Sequence, residues 1–262
     1  MVRVLALGDI VGKPGRQAVR ALLPELKKEL GVDLVIANGE NAAGGFGLTP
    51  EVANELWEAG IDVLTSGNHI WNKREIYPLL DREERLLRPA NYPPGAPGKG
   101  WTFWRGEGTS AAIVNLAGRV FLEPLDCPFR LIQELLPELK RETPVVIIDF
   151  HAEATSEKVA FAWLVDGAAS LVFGTHTHVQ TADERILPQG TGYITDLGMT
   201  GPRDGVLGVE RDIIIRRFLD QLPSRFAVAK GDVELMGILA DIDPISGRTV
   251  SIERVRRVFS RS

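Results

Sequence analysis

The sequence is short of the residues from which most redox and zinc sites are built. Its 262 residues include one cysteine and four histidines. A lone thiol, Cys127, makes neither an internal disulfide nor a zinc ribbon, and it reads as a small buried hydrophobe. No apolar run approaches the ~20 residues of a membrane span. The opening MVRVLALGDI has no long apolar stretch followed by a small-residue cleavage site, so a cytoplasmic protein without a membrane partner is expected. Positive charge is not in excess: 30 Lys and Arg stand against 35 Asp and Glu, a formal charge of −5. That balance excludes the broad basic footprint needed to hold long nucleic acid. Several phosphate and nucleophile signatures are missing too. Gly12-Lys13-Pro14 lacks P-loop spacing, the turn at Gly44–Gly47 lacks a dinucleotide fingerprint, and Ser66, Ser110 and Ser156 lack a G-x-S-x-G elbow.

What is present is an ordinary globular composition, 44% hydrophobic and 25% charged, enough to bury a sizeable core in a single domain over 1–262. Five short apolar runs are bounded by glycine or polar residues: Val4–Leu7, Leu34–Ala37, Val63–Thr65, Val145–Ile148 and Leu171–Phe173. Short and rich in β-branched residues, they read as buried strands. Pro14–Leu30 repeats apolar residues at helical spacing and ends at Gly31, with a kink or break expected at Pro24. Thr49–Ala59 is a second helix, with Thr49 as N-cap and Pro50 in the first turn. Leu131–Leu139 and Ser156–Val165 are two more. Strands alternating with helices predict an α/β protein with parallel strands. Arg88–Gly108, which holds four of the 16 prolines, reads as a rigid irregular loop. Beyond Gly190 the runs Tyr193–Asp196, Arg225–Ala229, Leu235–Ile242 and Thr249–Val258 look like antiparallel strands.

The residues that follow each strand carry the chemistry. Asp9 follows the first; Asn38, Glu40 and Asn41 the second; Asn68 and His69 the third; His151 the fourth; His176 and His178 the fifth. All four histidines belong to this set. In open α/β sheets ligands bind beyond the carboxyl ends of strands, so all five ends are expected at one edge. Each residue alone has an ordinary explanation as a cap, a turn former or a hydrogen-bonded core histidine; their conjunction at five strand ends does not. Oxygen and nitrogen donors without thiolate suit Mn, Fe or Zn. Asp9, Glu40, Asn41, Asn68, His151, His176 and His178 are too many for one tetrahedral zinc. They fit two metal ions roughly 3.5–4 Å apart, an arrangement used in phosphoryl hydrolysis, with Glu40 as the natural bridge.

These strand ends resemble the calcineurin-like metallophosphoesterases: GNH at Gly67–His69, the lone His151, and GTHTH at Gly174–His178 match three motifs in order. Two departures, Asp9 followed by Ile10 and Val11 instead of Asp-x-His, and NGEN with Glu40 in place of Asp, fit one branch, the bacterial YmdB-like phosphodiesterases. NGENAAGGFGLT, RPANYPPGAPGKG, DFHAEATSEK, GTHTHVQTAD and TDLGMTGPRDG are also similar to that branch. The resemblance implies a four-layer α/β/β/α sandwich of two mixed sheets with two metal ions, iron or manganese foremost and zinc as an alternative. Carried over residue by residue, Asp9, Glu40, Asn41 and His178 hold the first ion, with Asn41 standing in for the absent histidine of Asp-x-His. Glu40, Asn68, His151 and His176 hold the second, and His69 is the proton donor.

The implied activity is hydrolysis of small phosphodiesters, notably 2′,3′-cyclic nucleotides. On that implication hydroxide held between the two metals would attack phosphorus in line, and the leaving oxygen would take a proton from an imidazole, the side chain that titrates near neutrality. Two other readings use the same residues: a phosphomonoesterase (nucleotidase or protein phosphatase), and a non-enzymatic signalling protein with a structural metal site. Loops Gly44–Leu48, Arg88–Lys99 and Gly198–Asp204 would set the choice of substrate, and a homo-oligomer is left open.

Overall fold

The computed structural model describes residues 1–260, so the last two residues of the expected 1–262 domain lie outside it. In chain order it contains β1 (Val2–Leu7), β2 (Asp9–Ile10), α1 (Gly12–Leu30), β3 (Leu34–Asn38), α2 (Pro50–Glu58), β4 (Val63–Thr65), α3 (Tyr77–Arg82), β5 (Trp101–Gly106) and β6 (Thr109–Ala117). There follow α4 (Pro128–Glu142), β7 (Val146–His151), α5 (Thr155–Leu164), β8 (Leu171–Thr175), β9 (Arg185–Ile186), β10 (Gly192–Ile194), β11 (Met199–Pro202), α6 (Arg211–Asp220), β12 (Val233–Ile242) and β13 (Thr249–Phe259).

Two mixed sheets result. One runs β2-β11-β12-β1-β3-β4, with β13 also paired to β12; the other runs β5-β6-β7-β8-β10-β9. In the first, β1, β3 and β4 are parallel, and in the second β6, β7, β8 and β10 are parallel. Alternation along each strand divides its side chains between two cores. In β1, Leu5 and Leu7 pack with Leu23, Leu26 and Leu56 of the covering helices, while Val4 and Ala6 face Ile113, Ile147 and Phe173 of the other sheet. The far face of the second sheet buries Ile148 and Phe150 against Leu136 of α4 and Phe161 of α5. Helix, sheet, sheet and helix therefore form four layers, the α/β sandwich of two mixed sheets expected from the sequence.

The local readings hold where a side chain dictates them. Thr49 caps α2, its Oγ1 accepting from the Val52 backbone N–H at 3.3 Å. Pro24 does not break α1, which runs unbroken from Gly12 to Leu30 with Pro24 on its exposed side while Leu23 and Leu26 anchor it to the sheet. The expected loop Arg88–Gly108 ends as β5, hairpin partner of β6. β10 is antiparallel to β9, as expected, but parallel to β8, and Arg225–Ala229 forms only an isolated bridge, Val209 to Val228. Cys127 is half-buried ahead of α4, with the Arg119 guanidinium 3.4 Å from its sulfur, rather than buried. Helix α6 carries no buried residue: its apolar residues Ile214, Ile215, Phe218 and Leu219 recur at helical spacing, and the last three are exposed.

Candidate metal centre

The five strand ends do not share one sheet edge as expected. Three belong to the first sheet and two to the second, and they meet because both sets of parallel strands point to the same end of the sandwich. Asn38 crosses the gap: its Oδ1 accepts the Glu40 N–H at 3.1 Å and its Nδ2 lies 3.3 Å from His151 Nδ1. Gly67 makes the approach possible, since a Cβ there would fall 2.1 Å from the His151 ring.

Around His151 Nε2 stand Glu40 Oε1 at 3.1 Å, Asn68 Oδ1 at 3.2 Å and His176 Nδ1 at 3.1 Å. A second group adjoins it. His178 Nε2 lies 3.6 Å from Asp9 Oδ1 and 3.2 Å from Asn41 Nδ2, and Asn41 Nδ2 lies 3.4 Å from Asp9. All seven residues proposed as ligands on sequence grounds are thus brought together. Asn41 turns its NH₂ toward Asp9 and His178, so ligation through its oxygen requires the carboxamide to turn over. His69 stands apart from both groups: its backbone N–H donates to Glu40 Oε2 at 2.9 Å, and its ring meets Phe46 edge-on at 5.1 Å.

The outer partners fix which nitrogen of each imidazole faces inward. Thr175 Oγ1 gives its one proton to Asp149 at 2.7 Å, so at 2.9 Å from His151 Nδ1 it accepts. Glu153 accepts at His176 Nε2, 3.2 Å away, and the Leu207 carbonyl accepts at His178 Nδ1, 3.1 Å away. Each acceptor holds a hydrogen on the outer nitrogen and turns the other inward, the arrangement by which outer groups orient metal-binding histidines. The backbone at His176 and His178 is strained, with positive φ of 99° and 63°, and the contacts around it must hold it there. Asp196 holds the peptide between them: its Oδ2 accepts the Thr177 N–H at 3.2 Å and pairs with the buried Lys158 ammonium at 2.6 Å.

Asp149, Glu153, Lys158, Thr175 and Asp196 were not foreseen. A carboxylate inside the apolar run of β7 and a lysine on the inner face of α5 were visible signals, but they named no partner.

The electrostatics call for a cation. Burial alone would raise Asp9 and Glu40, yet His178 and His151 respectively hold the two carboxyls below their ordinary range. Burial opposes charge on His151, but Glu40 and Asp9 push it up to about 9. Burial and the His151 charge push His176 down to about 4. Burial opposes charge on His178 as well, but Asp9 raises it, so both His151 and His178 are drawn toward the charged form beside the two buried carboxylates. Among the described residues the fully buried Glu40 Oε1 has ion-pair contact with His151 but no hydrogen bond. The ligand atoms of Glu40, His151 and His176 all lie within 4.8 Å of one another, as a bound metal requires. Inner nitrogens and carboxylates together form a set of acceptors that would suit a metal ion, whose binding would require His151 to give up its proton.

The centre opens into a cavity of about 730 Å³, whose remaining wall includes Phe46, Ile214, Phe226 and Val228. No described helix is long and apolar enough to cross a membrane.

A family model described as YmdB-like protein matches residues 5–255. The chain is similar to a 2′,3′-cyclic-nucleotide 2′-phosphodiesterase of Bacillus subtilis (strain 168), 53% identical over 254 residues, which cover 97% of this chain and 96% of that protein. It is also similar to two proteins of known structure. A hypothetical protein from Thermus thermophilus is 44% identical, with a TM-score of 0.93 over 98% of this chain and 99% of that one. A novel phosphatase from Mycoplasma pneumoniae is 36% identical, with a TM-score of 0.93 over 99% and 94% of the two chains.

Proposed function

The chain belongs to the YmdB-like family of phosphoric ester hydrolases, and from that premise we propose that it cleaves small phosphodiesters, 2′,3′-cyclic nucleotides among them, with two metal ions. The observation that carries this reading is the convergence of buried acceptors whose inward faces are fixed by Thr175, Glu153 and Leu207. In it, Asp9, Glu40, Asn41 and His178 hold one ion, and Glu40, Asn68, His151 and His176 the other. Iron or manganese suits these donors, with zinc the alternative. When bound, the ions would supply a water acidified toward neutrality and neutralise the phosphoryl oxygens.

The remaining work falls to the chain. Glu40 is held against the His69 backbone, so the carboxylate shared between the two groups also sets the height of the imidazole beside it. The His69 ring, free of the two ligand groups and facing the cavity, gives a proton to the departing oxygen. Thr175, Glu153 and Leu207 keep the ligand imidazoles from rotating away. The deciding measurement compares bis-p-nitrophenyl phosphate with p-nitrophenyl phosphate on metal-loaded protein. A higher kcat/KM on the diester is expected; preference for the monoester would assign the site to a phosphatase, as the Mycoplasma relative is called.

Removing metal with EDTA should abolish hydrolysis and leave the chain folded, because the three large apolar clusters close without any ligand residue. Each site filled at a hundredfold excess over its Kd stabilises by about 2.7 kcal/mol. At roughly 2–4 °C per kcal/mol for a chain of this size, stripping one site lowers Tm by about 5–10 °C. Circular dichroism of an unfolded chain after EDTA would instead support a structural metal site.

Glu153→Ala should weaken the ion held by His176 about tenfold, the lower end for loss of a group that orients a ligand, since the carboxylate is half exposed. Glu153→Gln keeps an oxygen that accepts the same N–H and should bind nearly as the parent does. Calorimetric titration with Mn²⁺ separates the two variants.

A further inference from the structure

The wall of the cavity that the metal chemistry leaves unused is aromatic and begins at His69. The Phe46 ring meets the His69 imidazole at 5.1 Å, Phe226 stacks on Phe46 with centroids 6.0 Å apart, and the Arg217 guanidinium lies 5.0 Å over Phe226. Three separate segments build this row: the turn after β3, helix α6, and the stretch that follows it. Phe46 is carried by a turn that other residues take with difficulty, since Gly44, Gly45 and Gly47 have φ of 71°, 97° and 80°. Gly47 is also close to Lys73, whose Cγ would lie 2.7 Å from an added Cβ. Phe46 and Phe226 are only half-buried, and both face the cavity along with Arg217. A phosphodiester group needs far less room than about 730 Å³, and a mostly apolar wall with few polar groups is the usual lining of a small-molecule site.

Resting on the phosphodiesterase reading, we propose that Phe46, Phe226 and Arg217 form a subsite for the nucleobase of the substrate. The direction follows from the proton. A donor at His69 must lie beside the oxygen that leaves, and in a 2′,3′-cyclic nucleotide that oxygen belongs to the ribose. Ribose and base therefore extend past His69, and the first surface they meet is Phe46. Each base has a π-face, so such a wall binds nucleosides with little discrimination among them. Arg217 adds a cation that favours an anionic nucleotide and steadies the Phe226 ring. The glycine-rich turn, which gives no dinucleotide fingerprint, thereby acquires a use.

The test uses metal-loaded protein and two cyclic diesters, adenosine 2′,3′-cyclic phosphate and ethylene phosphate, which has the five-membered ring without ribose or base. In Phe226→Leu and in Phe46→Leu the ratio of the two KM values, nucleotide over ethylene phosphate, should rise about tenfold, the scale of one lost base–aromatic contact. Phe226→Leu is the sharper variant because Phe226 does not touch His69. An unchanged ratio in Phe226→Leu overturns the subsite. Calorimetric binding of adenosine 3′-phosphate reads the subsite without turnover: about tenfold weaker binding by Phe226→Leu supports it, and equal affinity overturns it. A wild-type protein that binds this nucleotide through Phe226 yet cleaves neither diester would keep the subsite and refute the phosphodiesterase reading.

Discussion

His69→Ala is expected to retain both metal equivalents and lose roughly 10²–10⁴-fold in kcat on diesters with poor leaving groups, the range for removal of a general acid. The contact that ties this residue to the ligand set is its backbone N–H to Glu40 Oε2, at 2.9 Å, and alanine preserves it. The imidazole itself touches Phe46, not the two groups of acceptors. Loss should shrink on p-nitrophenyl esters, whose leaving group departs without a proton. Elemental analysis beside kinetics on the two substrate types checks both parts. His69→Ala and His151→Ala proteins that lose metal equally would show His69 to be a ligand instead of a donor.

Glu40→Ala should cost metal as well as turnover. Its carboxylate is fully buried, faces His151 Nε2 at 3.1 Å through Oε1 and receives the His69 N–H through Oε2. Removing it takes away the group shared by both proposed sites and leaves the His151 charge with only Asp9 and Asp149 to favour it among the carboxylates acting on it. Metal content is expected to fall from two equivalents to one or none. Neutralisation of phosphoryl charge by metal is worth several kcal/mol, so losing it costs roughly 10³-fold in rate at 1.36 kcal/mol per tenfold. Two full equivalents of manganese in the alanine variant, with near-normal turnover, would remove Glu40 from the bridging role.

These two variants are the ones a sequence reading could already name, and their environment shows why. Asp9, Glu40, Asn68, His151 and His176 each follow a short apolar run, and a buried strand that ends in a polar residue places that residue at the sheet edge whatever the neighbouring layers do. The strands themselves were legible for a similar reason, since Leu34–Asn38 and Leu171–Thr175 are nearly continuous apolar segments buried on both faces. Helix α1 was legible from its period, though Pro24 suggested a break that burial of Leu23 and Leu26 overrides. Helix α6 was harder to read: Ile214, Ile215, Phe218 and Leu219 recur at helical spacing, but the helix is only 10 residues long and starts without a capping side chain.

The sequence by itself determined which groups are available and roughly where. The four histidines, the carboxylates Asp9 and Glu40, and the amides Asn41 and Asn68 were readable because strand ends and turn chemistry are local. Only the tertiary structure decided that two sheets, rather than one, contribute the centre. It also decided which nitrogen of each imidazole turns inward. The partners that set this, Asp149 through Thr175, Glu153 and the Leu207 carbonyl, are identified by contact across the fold. Glu153 is 23 residues from His176 and Leu207 is 29 from His178, and nothing in the intervening sequence specifies that they meet. Hydrogen-bond geometry is a property of position in space, so the protonation pattern of the centre could emerge only once the layers had packed.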